Sequence, residues 1–305
     1  MAESDALPFR ILREIYRHPS LRVGGRESYA QLASSLGVDD NTVRASLERM
    51  RKSGFLKAWS ASLNPHVLGM ECKSILIKLD EASLKQKKLS ELRLVEGVVL
   101  IMSFLDDAGF RIVLYCKDEK DFEAKIKLMS SICGVQEPSA IWDVPFPRCN
   151  FDLKRTDWRM LGLFFRNSRM SVNEIASALG ISTRTVRRRL DFMTEGNVFF
   201  PNPIVDARKV DGFVYFFLVS YRDRKTKLDT DSRLREEIER IIFLDANAEL
   251  YTVTAAVCKN ISEAGKISGW LGAQDGVEEV SARVVEDIIP VSDWIENEIA
   301  RRTMI

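Results

Sequence analysis

Apolar positions along the chain recur with two periods, and the sequence of periods is run through twice. Leu12, Ile15 and Tyr16 fall at helical spacing, and so do Leu161, Phe164 and Phe165, with Asp157 as the expected N-cap of the second helix. Short helices are predicted next, over Tyr29–Leu36 and Val172–Leu179, each stopped by a glycine, Gly37 or Gly180. Asp39 and Asp40, or Ser182 and Thr183, then offer side-chain oxygens to cap a third helix. Beyond it the period changes to two. Trp59, Ala61 and Leu63 alternate with Ser60 and Ser62, as in a half-buried strand. This is where the hairpin of a wing is expected. In the second run Pro201 and Pro203 cannot donate to a sheet ladder, so an irregular wing is expected there.

A mixed stretch follows each wing. Strands are expected over Glu71–Leu79, Val98–Leu105, Phe110–Lys117 and Val135–Val144, with helices over Ser83–Leu94 and Glu119–Ser131. The later stretch predicts a strand over Gly212–Tyr221, a helix over Asp231–Ile241 and two strands around Asp245-Ala246-Asn247. A helix over Ile261–Gln274 and a strand over Val277–Glu286 complete it, and a last amphipathic helix covers Asp293–Arg302. The order βαββαβ is that of a ferredoxin-like split-βαβ sandwich. The expected class is α+β. Winged helix-turn-helix regions at residues 1–68 and 151–210 alternate with ferredoxin-like regions at 69–150 and 211–305.

The repetition extends to residue identity. Ser28 to Met50 aligns without a gap on Ser171 to Met193, at an offset of 143. Ser, Ala, Ser, Leu-Gly, Thr-Val-Arg, Leu and Met recur in phase, so the chain is an internal duplication.

Charge sharpens this picture. The whole chain is near neutral at +1, but residues 1–58 carry a net +3, residues 152–200 a net +4 and residues 211–305 a net −6. Two basic blocks alternating with neutral or acidic ones suit a protein that touches a polyanion with part of its surface. Hydrophobic content of 46% and charged content of 29% are those of an ordinary globular chain. No apolar run reaches the ~18 residues of a membrane span, and the N-terminus lacks the pattern of a secretory signal. Five widely spaced cysteines without a CxxC suggest reduced thiols in a cytoplasmic protein, and no metal or cofactor is expected.

The run SYAQLASSLGVDDNTVRASLERM and the segment EIASALGISTRTVRRRLDFM, each followed by βαββαβ, resemble the Lrp/AsnC family of regulators. The resemblance implies two chains' worth of architecture fused end to end: a pseudo-dimer able to self-associate further. It implies double-stranded DNA as a partner and an amino acid or other small effector at the loop between the second and third sensor strands. Here those loops are Asp106-Asp107-Ala108-Gly109 and Asp245-Ala246-Asn247-Ala248, so Asp106, Asp107, Gly109, Asp245 and Asn247 are the effector candidates. The family's Gly-Asp order is missing from both loops, and ordinary turn formation accounts for such residues.

The third helix of a helix-turn-helix enters the major groove, where its first residues meet base edges. In the second copy these are Ser182, Thr183, Arg184, Thr185, Arg187 and Arg188. Arginine can grip guanine O6 and N7 together, and hydroxyls suit phosphates. Arg189 adds to the positive field, while Val186 and Leu190 are expected in the core. The first copy offers Asn41, Thr42, Arg44 and Arg49, but Asp39 and Asp40 would repel phosphate. Two unequal heads are expected, the second contributing more affinity.

Two other functions fit the same plan. Siroheme decarboxylases are similar in architecture, and their chemistry is expected to use histidines and arginines lining a tetrapyrrole pocket; this chain has only His18, expected near a helix end, and His66, expected in a turn beside the wing. The acidic first recognition helix would also suit a partner protein that has lost DNA binding. Regulator rather than enzyme is the reading the residues favour.

Overall fold

The computed structural model describes residues 3–17, 26–105, 109–149, 151–245 and 248–304. In chain order, α1 (Glu3–Arg17), α2 (Arg26–Leu36), α3 (Asp40–Lys52) and β1 (Leu56–Leu63) form the first head region. Then come β2 (Glu71–Ile77), α4 (Lys85–Leu92), β3 (Val98–Phe104), β4 (Phe110–Cys116), α5 (Glu119–Cys133) and β5 (Ala140–Asp143). The second run is α6 (Arg155–Arg166), α7 (Val172–Leu179), α8 (Thr183–Glu195), β6 (Phe199–Val205), β7 (Phe213–Tyr221) and α9 (Arg224–Glu237). It ends with β8 (Ile241–Asp245), β9 (Tyr251–Cys258), α10 (Ile261–Gly272), β10 (Val277–Pro290) and α11 (Asp293–Met304). Two compact units result: one holds the sheets of both sensor regions together with α1 as far as Arg13, and the other holds the rest of the first head, the second head and α11.

The sensor unit is built on one sheet of eight strands, in the order β5-β2-β4-β3-β10-β7-β9-β8. Each half has the ferredoxin-like order, and the seam is β3 against β10. Val277–Val284 of β10 pair with β7, while Val285–Pro290 pair with β3. This explains why β10 outruns its expected end at Glu286: the extra residues complete the other half's edge. Arg111 on β4 is 3% exposed, its guanidinium 5.4 Å from the Phe216 ring and 5.6 Å from the Trp142 ring, and its Nε donates to Ser74 Oγ at 3.1 Å. Rings and a hydroxyl thus offset part of the cost of burying this cation.

One helix lies elsewhere than its sequence pattern suggests. α9 begins seven residues before Asp231 and ends before Ile241, which instead opens β8. Asp223 caps it, accepting from Thr226 N at 2.9 Å. The residues around 223–230 are charged and lack apolar periodicity, and it is the cap and the buried ion pair Lys227–Asp231 that set the helix.

At the seam, Lys85 Nζ lies 2.6 Å from Glu286 Oε2, and Ser103 Oγ donates to the same oxygen at 2.8 Å. The Lys85 hydrogen bond holds the Glu286 carboxyl below the ordinary carboxylate range. A folded-state pKa that is depressed contributes stability above the ordinary value and loses it as the pH falls through the folded one. Glu286→Gln is therefore expected to cost about 1 kcal/mol near neutrality, kept small by partial exposure. Urea titrations should show that difference shrinking to nothing in acid; a difference independent of pH would contradict the ion pair.

In the head unit the strands following the two recognition helices do not form separate hairpins. β1 pairs antiparallel with β6 of the other copy, with Trp59 opposite Pro203 and Ala61 opposite Pro201. The prolines expected to make the wing irregular are accommodated because their positions face away from the ladder. Pro203 O accepts from Tyr16 Oη at 2.8 Å, and Trp59 O opposite it accepts from Ser168 N at 3.5 Å, both outward. α11 packs on α6, with Ile299 over Gly162 and the Arg302 guanidinium 5.0 Å from the Trp158 ring.

Candidate nucleic-acid interface

Both recognition helices are held by the same three positions. Val186, Leu190 and Met193 of α8 are 0%, 7% and 0% exposed; Val43, Leu47 and Met50 of α3, at the 143 offset, are 0%, 7% and 5% exposed. Burying such a row contributes roughly 1.5–3 kcal/mol per side chain and fixes which face of the helix is left open. The turn before each helix is also duplicated: Gly37 and Gly180 have φ of 68° and 66°, a left-handed backbone that costs glycine little. After each helix the left-handed residue is Gly54 in one copy and Asn197 in the other (φ 78° and 53°), so in the second copy the glycine beside it, Gly196, is not the one that turns the chain.

Ser182 caps α8, accepting from Thr185 N at 3.1 Å, and its hydroxyl lies 2.9 Å from Thr185 Oγ1. These two hydroxyls, expected to be offered outward, are thus engaged with each other. Thr183, Arg184, Arg187 and Arg188 are exposed, and among the described residues none of the three arginines has an ion pair. Arg189 differs. It binds Asp157 of α6 through Nε at 2.5 Å and a second guanidinium bond, and lies 4.6 Å from the Phe192 ring. That hydrogen bond raises its pKa further. Asp157 is fully buried and is not the N-cap of α6: Lys154 takes that place, and the Asp157 carboxylate accepts from Lys154 N at 2.8 Å. One buried carboxylate thereby ties α6 to α8.

The first head has similar geometry but different electrostatics. Asp39 caps α3, and hydrogen bonds from the Thr42 hydroxyl and amide hold its carboxyl below the usual range, so it stays ionised. Thr42 Oγ1 is spent on that carboxylate. Arg44 Nε lies 2.7 Å from Asp40 Oδ2, and its guanidinium lies 4.3 Å from the Tyr29 ring. Arg51 and Lys52 are drawn to Glu48. Asn41 and Arg49 remain exposed. The cations of α3 are largely neutralised from within, whereas the open face of α8 carries three arginines and no acid before Asp191.

The sensor loops contribute less. Asp106, Asp107 and Asn247 lie outside the described residues, as does the side chain of Asp245. Gly109 is buried, and its carbonyl accepts from Phe104 N at 3.1 Å, closing the β3–β4 turn. His18 also lies outside the described residues. His66 sits in the turn after β1, its Nδ1 3.1 Å from Pro147 O and its Nε2 3.3 Å from Glu71. Among the described residues no group of three or more His, Cys, Asp or Glu side chains could hold a metal ion, and no helix is long and apolar enough to cross a membrane.

Residues 153–193, from before α6 to near the end of α8, match the model of the AsnC-type helix-turn-helix domain. The chain carries an AsnC-type helix-turn-helix. Over part of its length the chain is similar to transcription regulators. It is 32% identical over 79 residues to an uncharacterized HTH-type transcriptional regulator of Pyrococcus furiosus, covering 25% of this chain and 53% of that protein. It is 31% identical over 94 residues to the HTH-type transcriptional regulator Ptr1 of Methanocaldococcus jannaschii, covering 29% of this chain and 60% of that protein. The chain thus spans about half the length of the curated relatives it matches. Among solved structures, the siroheme decarboxylase NirDL is similar along 97% of this chain and 98% of its own, with a TM-score of 0.55 and 12% identity. At that identity the likeness establishes the fold, two heads alternating with two ferredoxin-like regions. The family match and the curated relatives point to the helix-turn-helix itself.

Sequence reasoning missed Asp157 as the residue that holds α8, and Arg189 as its partner. An acidic residue three positions into a helix reads as a cap contribution. Only the fold reveals that the fourth arginine of TRTVRRRL turns inward onto it.

Proposed function

We propose that the protein is a sequence-specific DNA-binding transcription regulator of the Lrp/AsnC type, acting in the cytoplasm as a fused pair of heads. The observation that carries this reading is the open face of α8: Arg184, Arg187 and Arg188 exposed and unpaired among the described residues, on the recognition helix of an AsnC-type domain. A cationic helix of this shape enters the major groove and reads guanine edges while neighbouring groups meet phosphates. The second head is proposed to supply most of the affinity, because Asp39, Asp40 and Glu48 neutralise the first. A site preferred by such a chain need not be a perfect palindrome. An amino acid or other small effector remains part of the proposal by likeness to Lrp/AsnC proteins.

Selection from a random duplex pool should recover a consensus bound by the intact chain. Binding to it should weaken steeply as salt rises, because phosphate contacts release counterions. No enrichment, with a salt-independent signal, would count against a regulator. A siroheme-decarboxylase-like enzyme is the competing reading, motivated by the full-length likeness to NirDL. Of the two histidines that such chemistry could use, His66 lies in a turn of the head unit with both ring nitrogens hydrogen-bonded there, and His18 lies outside the described residues. A visible spectrum recorded after adding siroheme separates the two: a stoichiometric shift in the absorption bands would favour the enzyme.

A further inference from the structure

The two heads are joined by a contact whose aromatic partners the duplication does not repeat. Arg169 lies in the turn between α6 and α7. Its guanidinium sits 4.6 Å from the Tyr29 ring of α2 and 4.5 Å from the Trp59 ring of β1, both belonging to the first copy. An Arg169 N–H also donates to the Tyr29 hydroxyl. The other face of the arrangement is Arg44 of α3, 4.3 Å from the same Tyr29 ring. The backbone around Arg169 is tied to the same strand: Ser60 Oγ donates to Phe165 O at 3.1 Å and Ser168 N to Trp59 O at 3.5 Å. Arg169 is half-buried, and among the described residues it has no carboxylate partner. Burial lowers its pKa to about 10, which leaves it protonated at neutral pH. A cation so desolvated is held by the faces of the two rings, where a planar guanidinium can stack and a lysine cannot do so as well.

The 143 offset makes the asymmetry plain. The counterparts of Tyr29 and Trp59 are Val172 and Asn202, which have no ring to offer the counterpart of Arg169. One side of a pseudo-symmetric pair of heads is therefore clamped by aromatic stacking, and the other has no equivalent rings.

We infer that Arg169 is a positioning residue that, acting with the β1–β6 ladder, clamps the second head onto the first and so fixes the separation of α3 and α8, making the chain select two half-sites at one spacing. The inference rests on the DNA-binding reading for its consequence but not for its geometry. A rigid pair of modules gains from simultaneous engagement only where the spacing of its sites matches its own, and half-sites must also lie on one face of the duplex.

The clamp is tested in the full chain with Arg169→Ala, Arg169→Lys and Tyr29→Leu. Spin labels go on Ser34→Cys and Ser177→Cys, exposed equivalent positions of α2 and α7. Pulsed electron spin resonance should give one narrow distance with Arg169 and a broadened distribution with either Arg169→Ala or Tyr29→Leu. Arg169→Lys should lie between. Duplexes with the selected half-sites at varied spacing form the second readout. The unmodified chain should favour one spacing by about tenfold, and Arg169→Ala should flatten this to within about threefold while single half-site affinity is unchanged. A narrow distance that survives both Arg169→Ala and Tyr29→Leu would overturn the clamp. An altered distance in a chain that binds no duplex would leave the clamp standing and refute the DNA-binding reading. Because Tyr29→Leu removes a ring from the other partner, a folding defect in one variant does not leave the clamp untested.

Discussion

Replacing Arg184 and Arg187 together by alanine should weaken binding to the selected duplex by about 100-fold or more, since each lost arginine–base contact is worth ~1–3 kcal/mol. The affected side chains are exposed and make no ion pair within the described residues, so removing them should leave the fold intact, with thermal denaturation essentially unchanged. The comparison that gives the result meaning is Arg44→Ala. That side chain is already committed to Asp40 and Tyr29, and its loss is expected to change affinity by less than about threefold. Fluorescence anisotropy at fixed salt measures both. Equal losses from the two heads, or a larger loss from Arg44, would show that the acidic residues of α3 do not set the ranking.

The second large effect concerns stability. Asp157→Ala removes a fully buried carboxylate that receives both the Arg189 guanidinium and the Lys154 amide. Breaking a buried ion pair from one side leaves the other charge without compensation, and the expected cost is ~3–5 kcal/mol. The loss should lie toward the lower end, because Arg189 retains some access to water and its contact with Phe192. Denaturant titration of the full chain would detect it as a fall in midpoint. The double variant Asp157→Leu with Arg189→Met should recover part of it, because an apolar pair of similar volume avoids the stranded charge. A cost below about 1 kcal/mol for Asp157→Ala would mean that α6 and α8 are held by apolar packing alone.

Much of this architecture could be read from local signals. The turn glycines, the capping oxygens and the recurrent Val, Leu and Met positions give the helix-turn-helix twice, and α7 falls where the pattern put it, at Val172–Leu179. The βαββαβ order was legible because each strand is a short apolar run between turn residues. What could not be read was pairing between distant segments. β1 lies 143 residues from its equivalent in β6, and alternation of apolar residues does not reveal which strand is the partner; a hairpin was expected where a cross-copy ladder formed. The extension of β10 past Glu286 has the same origin, since its last residues are strand only because β3 is there to bond them. For α9 the periodic signal was absent, and its charged residues are ordered by a cap and by Lys227–Asp231 rather than by an apolar stripe.

The candidate site follows the same division. The identities of Arg184, Arg187 and Arg188 mark the recognition helix from sequence, and helical phase distinguishes them from Val186 and Leu190. Phase also sets Arg189, three residues after Val186 and four before Met193, on the flank of the buried row, but it does not reveal the partner Asp157, contributed from a helix 32 residues earlier. Similarly, Arg169 in sequence is one more basic residue in a turn, and its two aromatic neighbours come from the other copy, 140 and 110 residues away. The stacking of the half-buried Tyr29 and Trp59 rings on a cation is a product of the fused arrangement, invisible to any single repeat.

The most direct measurement is photo-crosslinking to the selected duplex from p-benzoylphenylalanine placed singly at positions 184, 188, 195 and 44. Crosslinks to DNA from 184 and 188, with little from 195 at the far end of α8 and little from 44, are the result this account predicts. Efficient capture from 44 alone, or none from either position on the arginine face, would contradict it.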